Sequence, residues 1–224
     1  MRRAVDVVFF DVGGVMYDDT VYARAIDRAL RELGASFDDE EFAAAYAQVR
    51  AAQAGSFRDQ LARRFLGPGA DVRAVERAAS RYWAYPPGAL YPDVVPCLRS
   101  LSGGYRLGIV ANQPSTVRDA LERDGVAGFF ELWNVSEDVG FDKPDPRLYT
   151  GAIKAAAVAP ERTAMVGDRL DRDVRPAAAA GMRTVWVLRG EAPDAPTDRQ
   201  LAEPEAAIPG LDRLAAALDD LERA

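Results

Sequence analysis

Short apolar runs alternating with helical stretches constrain this chain more than any other feature. Residues 5–10, 106–110, 163–166 and 183–188 are runs of this kind, rich in Val, Ile, Leu and Phe and too short for buried helices. They read as strands covered on both faces. A weaker run lies at 132–135. Helical spacing fills about 114–124, 146–157 and 171–180 between them. Strands alternating with helices predict an α/β fold, a three-layer α/β/α core of Rossmann-like winding around a mostly parallel sheet.

Residues 17–90 break that alternation. Helical periodicity runs through about 20–33, 38–52, 57–65 and 71–83 with no strand between, and Gly34, Gly55, Gly67-Pro68-Gly69 and Pro86-Pro87-Gly88 punctuate it. Ser36 or Asp38 is placed to cap the second helix, and Asp71 to start the fourth. The expected organisation is an α/β core of residues 1–16 and 91–224 with an all-helical insertion of residues 17–90. The Pro- and Asp-rich tail at 190–209 reads as loop, and an amphipathic stretch at 211–221 as a last helix packed on the core.

Composition removes whole chemistries. The chain has no histidine, so no Ser-His-Asp triad, Cys-His pair or His-ligated zinc is available. Its single cysteine, Cys97, rules out an intrachain disulfide and reads as a small apolar filler of a helix over 94–101. A net charge of -7 disfavours nucleic acid as partner. No apolar run reaches the roughly 18 residues of a membrane span. Arg2 and Arg3 precede an apolar run, but that run is short, carries Asp6 and has no small-residue cleavage site, so the expected setting is cytoplasmic.

In an open parallel sheet, ligands bind beyond the carboxyl ends of the strands. Asp11 follows the first run, Ala111 and Asn112 the second, and Gly167 and Asp168 the third, while Lys143-Pro144-Asp145-Pro146 leads into a helix. Lys143 is one of only two lysines among 28 basic residues, which suggests that a compact point charge is wanted there. Carboxylates gathered with a lysine suit a hard cation and a phosphate.

These residues make the chain resemble the haloacid dehalogenase-like hydrolases, most of which are Mg²⁺-dependent phosphatases. The motifs are Phe10-Asp11-Val12-Gly13-Gly14-Val15-Met16, Leu107-Gly108-Ile109-Val110-Ala111-Asn112, Lys143-Pro144-Asp145-Pro146, and Val166-Gly167-Asp168 followed by Asp173 and Ala179-Ala180-Gly181-Met182. The resemblance spans nearly the whole chain and implies that residues 17–90 are a helical cap domain. It implies a phosphohydrolase acting on a small phosphorylated metabolite through an aspartyl phosphate. Asp11 is then the nucleophile. Asp11, Asp168 and the Gly13 carbonyl hold Mg²⁺. Lys143 neutralises phosphate and nucleophile, and the Asn112 backbone N–H binds a phosphate oxygen. Asp173 orients Asp168, Lys143 or a metal-bound water.

Two positions depart from the family pattern. Gly13 stands where an aspartate usually acts as general acid and base, and Ala111 where a Ser or Thr hydroxyl usually contacts phosphate. Loss of a general acid costs about 10²–10⁴ in rate, small beside the barrier lowering of phosphomonoester hydrolysis, so catalysis is expected to survive in weakened form. Restoring the carboxylate as Gly13→Asp is expected to favour alkyl phosphates, backbone geometry permitting, unless water, the substrate or a cap residue such as Asp18 or Asp19 already supplies the proton. The alternative is a pseudo-phosphatase that binds ligand or partner with little turnover. No lysine lies between residues 17 and 90, which argues against Schiff-base chemistry from the cap, and the presence of Gly167-Asp168 argues against dehalogenation. Arg169, Arg172 and Arg175 read as a solvated face pairing with Asp171 and Asp173. Tyr82, Trp83, Tyr85 and Tyr91 read as cap core or hinge packing. Arg58 and Gln53 lie near a cap loop and are not assigned to the site.

Overall fold

The computed structural model describes residues 4–221. Six strands form one parallel sheet: β1 (Val7–Phe10), β2 (Arg106–Ala111), β3 (Leu132–Val135), β4 (Thr163–Gly167), β5 (Arg183–Val187) and β6 (Ala206–Ile208), in the order β3-β2-β1-β4-β5-β6. The apolar runs fold as strands because both sheet faces are covered. Val8, Phe10, Ile109, Val166 and Val187 enter a core on one face, and Val7, Phe9, Val110 and Met165 a core on the other. That two-residue alternation of direction lets a continuous apolar run serve both sides. Cys97 is buried in the first of these cores, a filler as expected.

Strand order reverses at β1, which lies between β2 and β4, so the crevice beyond their carboxyl ends is where such a sheet binds ligands. Phe10 pairs with Ile109 and Val166, which brings the residues following all three strands to one edge.

Four helices follow β1: α1 (Thr20–Glu32), α2 (Asp39–Ala52), α3 (Phe57–Leu66) and α4 (Val72–Ser80). Ala25, Ile26, Ala29 and Leu30 recur at helical spacing and pack with Leu61 and Val75 in an apolar cluster of their own. Asp38 and Glu41 close a reciprocal capping box at α2, and Asp71 accepts the Arg73 and Ala74 N–H groups at α4. The two chain crossings between helices and sheet run side by side: Asp18 N–H donates to Ala89 O, and Tyr91 N–H to Met16 O.

The structure corrects the sequence expectation in two places. The tail at 190–209 is not all loop, since β6 pairs with β5 and Asp198–Leu201 is a short helix behind a Thr197–Gln200 capping box. The stretch at 171–180 is not one α-helix. Leu170–Val174 forms a wide π-type turn before the helix Arg175–Ala179. Pro176 supplies the reason: it has no N–H to return to the Arg172 carbonyl, which accepts the Tyr149 hydroxyl instead.

Among the described residues no helix is long and apolar enough to cross a membrane.

Candidate active site

The residues that end β1, β2 and β4 meet at one edge of the sheet with the loop that carries Lys143. Lys143 Nζ lies 3.0 Å from Asp11 Oδ1 and 2.6 Å from Asp173 Oδ1, with only 2% of its side chain exposed. Asp173 has no oxygen to spare, because Oδ2 accepts the Arg169 backbone N–H at 3.0 Å. Its carboxylate bridges the lysine and the Arg169 backbone.

Asn112 contributes through its side chain as well. Its Oδ1 accepts the Lys143 N–H at 2.6 Å and its Nδ2 donates to the Lys143 carbonyl at 3.1 Å. This two-way amide contact fixes the backbone of the lysine relative to the end of β2. Sequence reasoning assigned Asn112 only a backbone N–H; an amide at a strand end facing an X-Pro loop is a signal that could have found the second contact.

Asp168 is fully buried and has no ion pair among the described residues. Its Oδ2 accepts the Glu191 N–H at 2.6 Å. Gly14, at φ +68°, presses against it: a Cβ there would stand 2.0 Å from Asp168 Oδ2, so both backbone conformation and space demand glycine.

The charge balance of the crevice is negative. Burial pushes the Asp11 carboxyl up to about 6, with Lys143 opposing and Asp173 adding. Burial likewise pushes Asp168 well above the ordinary carboxylate range, reinforced by Asp19, Asp173 and Asp11. Burial works against the Lys143 ammonium, but Asp11 and Asp173 outweigh it and hold its pKa above the usual value. One ammonium thus serves more carboxylates than it can neutralise.

Asp11, Asp168 and Asp173 each offer a carboxylate oxygen, all within 4.8 Å of one another. A hard divalent cation fits this donor set: the ligands are oxygens, and Asp168 is a buried carboxylate without a counter-charge. Asp173 differs from Asp11 in that both of its oxygens accept a hydrogen bond, one from Lys143 and one from the Arg169 N–H, which makes Asp11 and Asp168 the better placed carboxylates.

These groups open onto a cavity of about 260 Å³ between the sheet edge and the helices, lined among others by Asp19, Tyr22, Arg58, Trp83 and Arg172. Tyr85 is buried, stacks on Tyr17 at 4.1 Å and accepts Gln113 Nε2 at 3.0 Å. Tyr85 and Trp83 therefore pack at the hinge, as expected, and also line the cavity.

Arg169 departs from the solvated face expected of it. It is buried, pairs with Asp171 and Glu191, donates to Gly55 O at 2.7 Å and lies over the Phe57 ring. Gln53 is buried too, and holds Leu170 N–H and Glu191 O. Together they seam the loop between α2 and α3 to the sheet, a role invisible in sequence because both partners are loops remote along the chain.

Gly13 has no positive φ, so its backbone alone would admit an aspartate. Space would not: a Cβ there would lie 2.8 Å from Asp19 Oδ1 and 3.0 Å from the Tyr85 hydroxyl. Gly13→Asp is accordingly expected to destabilise by about 1–3 kcal/mol through overpacking, read as a thermal midpoint lowered by roughly 2–12 °C. An unchanged midpoint would show that Asp19 yields freely.

Known proteins resemble this chain in sequence and in fold. A family model described as haloacid dehalogenase-like hydrolase matches residues 5–181. A phosphoserine phosphatase of Thermus thermophilus is 41% identical over 153 residues, 66% of this chain and 61% of that protein. The alignment thus spans under two thirds of that relative's length. A glyceraldehyde 3-phosphate phosphatase of Methanopyrus kandleri is 34% identical over 205 residues, 85% of this chain and 87% of that protein. Among solved structures, a phosphatase of the same superfamily from Thermococcus onnurineus superposes with a TM-score of 0.61 at 26% identity, covering 96% of this chain and 98% of that one.

Proposed function

The chain belongs to the haloacid dehalogenase-like hydrolase family, and we propose that within it the protein is a Mg²⁺-dependent phosphatase of a small phosphorylated metabolite. The observation that carries this reading is the buried Asp11–Lys143–Asp173 arrangement beside an uncompensated Asp168. Names of relatives as phosphatases of phosphoserine and of glyceraldehyde 3-phosphate support the same class of substrate. The cavity volume suits a ligand of that size, and the net charge of -7 favours it over a nucleic acid.

In this reading Asp11 attacks phosphorus and forms an aspartyl phosphate, which water then hydrolyses. Lys143 holds a phosphate oxygen and offsets charge on Asp11, and Asp173 keeps the lysine in place. The Asn112 backbone N–H binds a second phosphate oxygen. Asp11, Asp168 and the Gly13 carbonyl would hold the magnesium, which when bound supplies charge neutralisation to the phosphoryl oxygens. Residues 17–90 act as the cap over the substrate, with 1–16 and 91–224 as the catalytic core, and Gln53 and Arg169 join the cap to it.

The test is Mg²⁺-dependent phosphate release from a panel of small phosphate monoesters, one of them an aryl phosphate. Absence of turnover, with Mg²⁺ still bound, would leave the pseudo-phosphatase. Metal binding is checked separately. Mg²⁺ at about 100 times its Kd stabilises by about 2.7 kcal/mol, expected as a rise of roughly 5–10 °C in thermal midpoint. Asp168→Asn should abolish that rise. An undiminished rise in the variant would remove Asp168 from the metal site.

A further inference from the structure

We propose that Asp19 is the acid–base residue of this active site: its carboxyl gives a proton to the leaving oxygen and then takes one from the attacking water. The inference rests on the phosphatase reading above.

Asp19 occupies the N-cap position of α1, where a carboxylate ordinarily accepts a backbone N–H. Its side chain makes no such cap bond, and the first turn is served by the neighbouring Asp18, whose Oδ1 accepts Thr20 N–H at 2.9 Å. The Asp19 carboxyl turns instead into the cavity that Asp11, Gly13 and Lys143 line. Among the described residues it has no ion pair or side-chain hydrogen bond, so neither a structural pair nor a cap accounts for its direction.

Gly13 fixes the position. The Asp19 Oδ1 atom stands 2.8 Å from the point where a side chain at residue 13 would begin, two residues beyond Asp11 on the same loop. Glycine there makes the room, and a carboxyl from the start of α1 fills it. Any alkyl phosphate needs a proton donor beside the departing oxygen, because an alkoxide is strongly basic. Among the cavity's carboxyls, Asp11 is the nucleophile, Asp168 is turned to the Glu191 N–H, and Glu191 and Glu76 are paired with Arg169 and Arg58.

The two steps balance. Asp11 bonds to phosphorus as the P–O bond to the alcohol breaks, and Asp19 transfers its proton to that oxygen, leaving alcohol, aspartyl phosphate and an Asp19 carboxylate. Water then attacks phosphorus and the Asp11–phosphate bond breaks. The Asp19 carboxylate takes the water's proton, and inorganic phosphate leaves.

The decisive variant is Asp19→Asn, which keeps shape and loses the proton, assayed with an aryl and an alkyl phosphate. Aryl oxides leave without protonation. The variant should therefore release about one equivalent of aryl alcohol in a fast first turnover and then slow, for want of a base in the second step. Its kcat/KM for the alkyl phosphate should fall about 10²–10⁴-fold. Equal losses for both substrates in the first turnover, or an unchanged alkyl rate, would overturn the assignment. The Mg²⁺-induced midpoint rise certifies fold and metal site, and Asp19→Ala replaces Asp19→Asn if the latter fails that check. A wild-type protein without aryl phosphate turnover would instead overturn the phosphatase reading, and this inference with it.

Discussion

Asp11→Asn is expected to lower phosphate release by at least about 10⁴-fold, because it removes the atom that bonds to phosphorus. The structure makes the substitution nearly isosteric and places it where a charge is unwelcome. The Asp11 carboxyl is pushed up to about 6 by burial and by Asp173 even with Lys143 at 3.0 Å. Its folded pKa thus lies above its ordinary value, and without metal it binds more protons in the folded than in the unfolded chain. Such a group detracts from stability as pH rises from about 4 through about 6. The asparagine variant should therefore melt no lower than wild type at pH 8 without Mg²⁺, while being inactive. Asp168→Asn should share the loss of the metal-induced midpoint rise, and with the metal gone neither variant should form the acid-stable covalent phosphate that wild type forms at saturating substrate and Mg²⁺. Asp11→Asn turning over at more than a few per cent of the wild-type rate would dismiss the covalent route.

What the sequence made legible follows from how locally each feature is encoded. The strands β1, β2, β4 and β5 are apolar runs buried on both faces, and their pattern survives without knowledge of neighbours. Asp11, Asn112 and Asp168 could then be placed at strand ends, and the parallel order alone brings them together. The strand β6 stayed hidden because it has three residues flanked by Pro204 and Pro209, and owes its existence to pairing with β5. Arg169 and Gln53 stayed hidden for a different reason. An arginine among aspartates has the signature of a solvated face, and only the approach of the 53–57 loop buries it over Phe57 and against Gly55. Asp19 shows the same limit at the site itself: the sequence offers Asp18 and Asp19 alike as cap carboxyls that could supply a proton, and tertiary direction separates them, since Asp18 accepts the Thr20 N–H while the Asp19 side chain makes no cap bond.

Lys143→Met should cost about 3–5 kcal/mol of stability at pH 8 in the absence of metal, the usual consequence of removing one partner from a buried charge pair. For a domain of this size that is a thermal midpoint lowered by roughly 6–20 °C. The geometry sets the sign. Lys143 is buried between Asp11 and Asp173, and its loss leaves both carboxylates facing each other without a cation in a site that already holds Asp168. The Asp11 carboxyl, already pushed up by burial and held down only by Lys143, would then keep its proton to higher pH than in wild type. A group whose folded pKa is raised in this way loses stability as pH climbs, so the deficit of the variant should shrink toward pH 5 and grow toward pH 8. Mg²⁺ should restore part of the difference, because it returns positive charge to Asp11 and Asp168, but not to Asp173. Turnover should stay low even where stability is recovered, since the lysine's contact with phosphate is not replaced. Thermal melts of both proteins at pH 5 and pH 8, with and without Mg²⁺, measure each part. A variant as stable as wild type at pH 8 without metal would mean that Lys143 is not what holds these carboxylates together.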